Sequence, residues 1–208
     1  MSFLEAASLS TITPIEISHT LSQQVFTNPD WMAEGCVSAT VTLERQANTN
    51  QALTIPIQLS GTATHGLDYS GVPASVTFSP GQTTVSFTIN SLPDAIAEGL
   101  ETLTLTFPIA DPCGNITPLV LNLWIQDNQP LDLTLNAPPI ACPGDPITIS
   151  AQINGGLAPF IYQWSTGQST QSITLSPTSN QTIWLAVTDA CLGAPTYDTI
   201  LISVPNFT

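Results

Sequence analysis

Hydrophobic and polar residues alternate along most of this chain. Val37, Ala39, Val41 and Leu43 fall on one parity. Leu53, Ile55, Ile57 and Leu59 repeat the pattern, as do Val76 and Phe78, then Val85, Phe87 and Ile89. Leu103, Leu105 and Phe107 follow, and then Leu119, Leu121, Leu123 and Ile125. A period of two is the mark of a half-buried β-strand, and no segment shows the 3.6-residue period of a helix. Between the third and fourth of these runs lies "SPGQ", in which Pro80-Gly81 predicts a type II turn.

The count of strands restarts after "QDNQP". Leu131, Leu133 and Leu135 begin a second series, followed by Ile147, Ile149, Ala151 and Ile153, which "NGG" ends. Phe160, Tyr162 and Trp164 come next, then Ile173 and Leu175, then Ile183, Leu185 and Val187, and last Ile200, Ile202 and Val204. Short strands at regular spacing with Pro/Gly turns predict sandwiches. The fold class expected is therefore all-β, as two tandem Ig-like antiparallel β-sandwiches. The expected division is 1–20 as an N-terminal strand and connector, the tail of an upstream domain; 21–129 as the first sandwich; and 130–208 as the second. The linker at Asn128–Pro130 is short enough to predict nearly coaxial domains.

Charge narrows the function. The chain of 208 residues has 15 acids, two histidines and one residue that is Lys or Arg, namely Arg45, for a formal net charge of −14. Phosphate recognition needs Lys and Arg, so nucleic acid is not an expected partner. An anionic membrane surface is disfavoured for the same reason, and no apolar run reaches the roughly 20 residues a membrane span requires. Without lysine there is no Schiff-base chemistry through that residue and no Lys–Asn crosslink. The start, "MSFLEAASLSTITPIE", lacks the basic and long apolar regions of a signal peptide and reads as the beginning of a piece cut from a longer chain. No G-x-S-x-G, H-E-x-x-H or phosphate loop occurs, so an enzyme is not expected. His65 and Asp68 in "THGLDY" read as a turn, with Asp68 bonding its own backbone.

The acids in "DAIAEGLETLTLTF" raise a different question. Odd positions of the strand ending at Phe107 point into the core, and Glu101 shares their parity. An inward carboxylate needs a partner, because burying an unpaired charge is costly. With no lysine, and with Arg45 at the far end of another strand, the remaining solutions are a metal ion, a raised pKa or a water-filled mouth. Solvated turn acids at Glu34 and Glu98, with Glu101 capping backbone amides, are the plainer alternative.

The segments "EGCVSATVTL", "SGTATHGLDYSGVPASVTFSPGQTTVSFTI" and "DAIAEGLETLTLTF" together resemble a Calx-β domain over roughly residues 30–128. The resemblance implies a Ca²⁺ site at one end of the sandwich. Its ligands would be Glu34, Asp94, Glu98, Glu101 and Asp127, with the carbonyl of Ile96, holding one ion or two. Ser60 stands where an acid often precedes "GTA", and Ala95 follows Asp94 where relatives carry consecutive aspartates, which predicts weaker binding than in the richest members. "CPGDPITISAQINGG", "YQWSTG" and "TIWLAVTDAC" resemble the PKD-like or Ig-like repeats of large surface proteins of gliding, Bacteroidetes-type bacteria, over residues 131–205. These resemblances imply a secreted, cell-surface protein.

Four cysteines without a C-x-x-C predict disulfides rather than zinc, and an oxidising compartment. One pairing is Cys36–Cys113 with Cys142–Cys191. The other is a Cys36–Cys191 bridge between the domains. Strand direction complicates the first, since a cysteine at the start of strand B and one past strand F lie at opposite ends of a sandwich. Two functions follow from these features. The first is a structural and adhesive segment whose Ca²⁺ stiffens the domain joint, with neighbouring domains and a surface glycan or protein ligand as partners. The second is a glycan-binding accessory module that uses Trp31, Trp124 or Trp184. Trp164 falls where Ig-like sandwiches bury a core tryptophan.

Overall fold

The computed structural model of the chain describes residues 15–94, 96–110 and 115–205. Every regular element among them is a strand, and they form two compact units, which divide after Asp127.

In the first unit, β1 (Ile15–Leu21), β2 (Trp31–Ala33), β3 (Ser38–Arg45), β4 (Leu53–Pro56) and β5 (Gln58–Gly61) are followed by β6 (Tyr69–Ser70), β7 (Ser75–Phe78), β8 (Thr84–Ser91), β9 (Leu100–Ala110) and β10 (Ile116–Gln126). One sheet has the order β1-β3-β8-β6 and the other β2-β10-β9-β5, with β4 and β7 forming a separate ribbon. The inward parity is as the alternation predicts: Val37, Ala39, Val41, Leu43, Leu103, Leu105, Phe107, Leu123 and Ile125 are buried. Two expectations are corrected. The strand foreseen before residue 20 is described from Ile15 and pairs with β3 from Ile15↔Arg45 to Leu21↔Ala39, so residues 15–21 form an edge strand of this sandwich; residues 1–14 of that segment lie outside the described residues. The run Leu53–Leu59 is not one strand. Pro56 has no N–H to continue a ladder, and after it the chain changes sheets: β4 pairs with β7, whereas β5 pairs with β9.

The far end of this sandwich is organised by Arg45, the last residue of β3, whose side chain is buried. All five guanidinium N–H donors are used by backbone carbonyls. Nε donates to Gln82 O (2.7 Å), Nη1 to Asn48 O and Gln51 O (3.3 and 2.8 Å), and Nη2 to Thr49 O and Ser79 O (3.2 and 2.8 Å). The Arg45 Cζ sits 5.0 Å from the Phe78 ring centroid, a cation–π contact.

The second unit contains β11 (Asp132–Asn136), β12 (Ile147–Asn154), β13 (Ile161–Trp164), β14 (Ser172–Leu175), β15 (Gln181–Thr188) and β16 (Thr196–Ile202). They form two antiparallel sheets, β11-β12-β14 and β13-β15-β16. Leu133, Leu135, Ile149, Ile173, Ile183, Leu185, Val187 and Ile202 pack around Trp164. The Trp164 indole N–H donates to Thr170 O at 2.8 Å, so the one polar atom of this core anchor is satisfied.

Candidate metal centre

Four segments of the first sandwich converge at the end opposite Arg45, roughly 25 Å away along β3. The first is the turn after β2. Glu34 donates its N–H to Gln126 O at 3.0 Å, and Val37 N–H returns to Ala33 O at 3.0 Å. The Ser91 hydroxyl, itself buried, bonds Ala33 O and Val37 O at 2.7 and 2.9 Å and fixes that turn. The turn also needs Gly35, whose φ is +63° and where an added Cβ would lie 2.7 Å from the Pro93 ring. Here glycine is required both by the left-handed backbone and by the close approach.

The second segment is the "THGLDY" loop. Asp68 N–H bonds Thr64 O at 3.0 Å, and Thr64 N–H donates to Asp68 Oδ2, so this residue does close its turn. The third is the start of β9. Glu101 pairs with Ile125 of β10 and points inward. Just before it lies Glu98, exposed at the mouth. The fourth is Asp127, immediately after β10. Its Oδ2 accepts the N–H groups of Glu98 and Gly99, both at 2.7 Å, which ties the loop before β9 to the end of β10.

One carboxylate oxygen from each of Glu34, Asp68, Glu98 and Glu101 lies within 4.8 Å of the others. Glu34, Asp68 and Glu101 are only 2, 3 and 8% exposed. Such a group of acids without a cation is electrostatically costly. Burial, followed by the charges of Asp68 and Glu98, a hydrogen bond with Asp68 and the charge of Asp127, pushes the Glu101 carboxyl up to about 7. Glu98 is raised as well, by desolvation first and then by Asp68, Asp94 and Asp127. Glu101 Oε2 and Asp127 Oδ1 are buried with no hydrogen-bond partner among the described residues. Oxygen-only donors, excess negative charge and buried acceptors left over are what a hard divalent cation satisfies. The residues therefore fit calcium.

Of the acids expected at the site, the fold brings Glu34, Glu98 and Glu101 together. Asp127 is one layer out, holding the loop while keeping one oxygen spare, and Asp94 contributes charge to Glu98 without belonging to the four-carboxylate group. The Ile96 carbonyl accepts a 3.5 Å bond from Gln129 Nε2, and Ile96 groups with the second unit. Asp68, read from sequence as a turn-former only, is the residue that reading missed. The signal that could have exposed it is that Asp68 is the one carboxylate in that loop.

Residues 18–128 match the family described as the Calx-beta domain. The chain belongs to that family. Calx-beta domains are calcium-binding β-sandwiches that act as non-catalytic regulatory or structural modules. Among solved structures, the chain is similar to the calcium binding domain CBD12 of CALX1.1, at 14% identity and a TM-score of 0.45 over 82% of this chain and 79% of that one. It is similar to CBD12 from CALX1.2 at 12% identity and a TM-score of 0.40, over 76% of each chain. A CsuC-CsuE chaperone–tip adhesion subunit complex from Acinetobacter baumannii is similar at 7% identity and a TM-score of 0.35, covering 85% of this chain and 95% of that one. No curated protein matches the chain.

The cysteines need a correction. Cys36 and Cys191 are each disulfide-bonded, whereas Cys142 is a free, exposed thiol, so the Cys142–Cys191 pair of the first expected pairing is not made. Strand direction explains this. Ile140 bridges Ser203 at the end of β16, which pairs with the start of β15 through Gln181↔Ile202. Cys191 follows the other end of β15. The two thus lie roughly 20 Å or more apart along an extended strand, far beyond the ~7 Å Cα separation a disulfide spans. Cys113 lies outside the described residues.

Proposed function

We propose that this chain is a structural and adhesive segment of a secreted cell-surface protein, and that Ca²⁺ held by Glu34, Asp68, Glu98 and Glu101, with Asp127 in support, rigidifies the end of the first sandwich from which the second module continues. The observation that carries the reading is the group of four carboxylates, three of them buried, in a chain whose only Lys or Arg is committed to the opposite end. A bound cation supplies the positive charge these oxygens lack. The protein's own part is to hold four loops in register. Asp127 is well suited to transmit that order, because it bonds the Glu98–Gly99 backbone and directly precedes Asn128, the first residue after the division. The disulfide-bonded cysteines support an extracytoplasmic location.

The test is thermal unfolding in EDTA, in millimolar Ca²⁺ and in Mg²⁺. Occupancy at 100-fold over Kd stabilises by about 2.7 kcal/mol, a rise of several degrees. A calcium-selective rise that Glu101→Gln abolishes supports the reading, and an unchanged midpoint overturns it.

A further inference from the structure

The second unit carries an exposed, uncharged sheet face on which two aromatic rings meet. On the β13-β15-β16 sheet, odd positions of β13 and β16 and even positions of β15 point away from the core. Trp184 and Tyr197 stand there with ring centroids 6.2 Å apart and planes tilted by 55°. They are 39 and 64% exposed; Leu201, at 59%, lies on the same face of β16, whereas Ile161, at 57%, stands apart, opposite Thr188. The register places Trp184 beside Tyr197 and Leu201 on neighbouring strands, with Thr182 opposite Leu201, Trp184 opposite Thr199 and Ala186 opposite Tyr197. The remaining outward positions are Gln163, Thr182, Thr188 and Thr199, together with Ala186, which is buried.

None of these outward positions is charged. The nearest acid in β16, Asp198, is turned inward, where its Oδ2 accepts Leu135 N–H and its Oδ1 accepts Thr199 N–H, both at 2.7 Å. Single exposed apolar residues need no explanation, but two exposed aromatic rings in contact, with Leu201 on the same sheet face, mark a contact surface. Its occupant has to match an uncharged strip of rings and hydroxyls. A second copy of the chain is disfavoured by the repulsion between two molecules of net charge −14. A cationic partner finds no counter-charge on the face. A neutral carbohydrate matches it on both counts. Its axial C–H groups are the positive edge that the negative face of an indole attracts, and its hydroxyls match the Thr and Gln side chains alongside.

We propose that this face binds a neutral polysaccharide, with Trp184 as the stacking surface and Tyr197 as the wall beside it. The inference concerns residues of the second unit and does not depend on the calcium reading.

Affinity electrophoresis of the intact chain through gels cast with one soluble neutral polysaccharide at a time (β-glucan, α-glucan, mannan, xylan), with alginate as an acidic control, tests it. At least one neutral polymer is expected to retard the protein, equally in EDTA and in Ca²⁺. Trp184→Ala should weaken that retardation about tenfold or more, Tyr197→Ala less, and Trp184→Phe should restore part of it. Near-UV circular dichroism checks that each variant is folded. The proposal is overturned if no neutral polymer retards the chain, or if both alanine variants bind as the parent does. It is also overturned if sedimentation shows self-association that Trp184→Ala removes, which would make the face a dimer interface.

Discussion

The two ends of the first sandwich solve opposite electrostatic problems. At one end a single cation, Arg45, is buried; at the other, several anions gather. The arginine needs no counter-ion, because backbone carbonyls from the 46–51 and 79–82 loops supply an acceptor for each of its five donors. The acids have no equivalent solution. Backbone N–H groups satisfy one oxygen each of Asp68 and Asp127, but Glu101 Oε2 and Asp127 Oδ1 are left over, and Glu101 responds by holding a proton up to about pH 7. The difference teaches that a loop cluster rich in carbonyls closes around a cation by itself, whereas a cluster of carboxylates is complete only with something added. The arginine end is finished by folding. The acidic end is responsive.

That contrast can be broken experimentally, beginning with its strongest element. Arg45→Met should cost about 3–5 kcal/mol in urea unfolding, since it strands several buried carbonyls. Arg45→Lys should recover little of this, because three donors on a point charge do not reproduce the five-donor fork. The loss should be the same in EDTA and in Ca²⁺, because the ends are too far apart to couple. A cost that changed with calcium would show that the ends are not independent.

Next in size is the acidic end itself. In EDTA, Glu101→Gln should stabilise the protein by about 1 kcal/mol, since it removes a buried acid crowded by like charge while keeping its shape. In Ca²⁺ the sign should reverse, with the parent the more stable. Destabilisation in both conditions would mean that Glu101 serves backbone capping rather than metal.

The calcium-free protein should also show an inverted pH response. Glu101 keeps its proton up to about pH 7 in the folded chain but releases it near its ordinary value of 4.5 when unfolded. Between those values the folded state binds more protons, so stability should rise as pH falls from about 7 toward 4.5 and decline on the way back. Calcium should flatten or reverse that slope, because protons and metal compete for the same oxygens. Chemical denaturation at a series of pH values, with and without EDTA, reads both slopes. The smallest effect is at Cys142: iodoacetamide should label it in the native, unreduced protein with little change in stability, while Cys36 and Cys191 should label only after reduction.

Strand parity is local, and that is why so much was legible. A side chain on a strand points to one face or the other by its count alone, so the alternation determined the all-β class, the buried positions of β3, β9 and β10, the inward aim of Glu101 and the outward aim of Trp184. The composition determined that no lysine could answer the acids. What the tertiary structure decided lies in loops and in which sheet a strand joins, and there the chain carries no period to read. Only the folded chain shows that Pro56 divides a continuous apolar run between two sheets, that Asp68 closes a turn and enters the carboxylate cluster as well, and that Arg45 is caged by carbonyls. Only the strand directions of the second sandwich leave Cys142 without Cys191. These outcomes depend on segments distant in sequence arriving at one place, and no spacing of residues along a chain encodes that convergence.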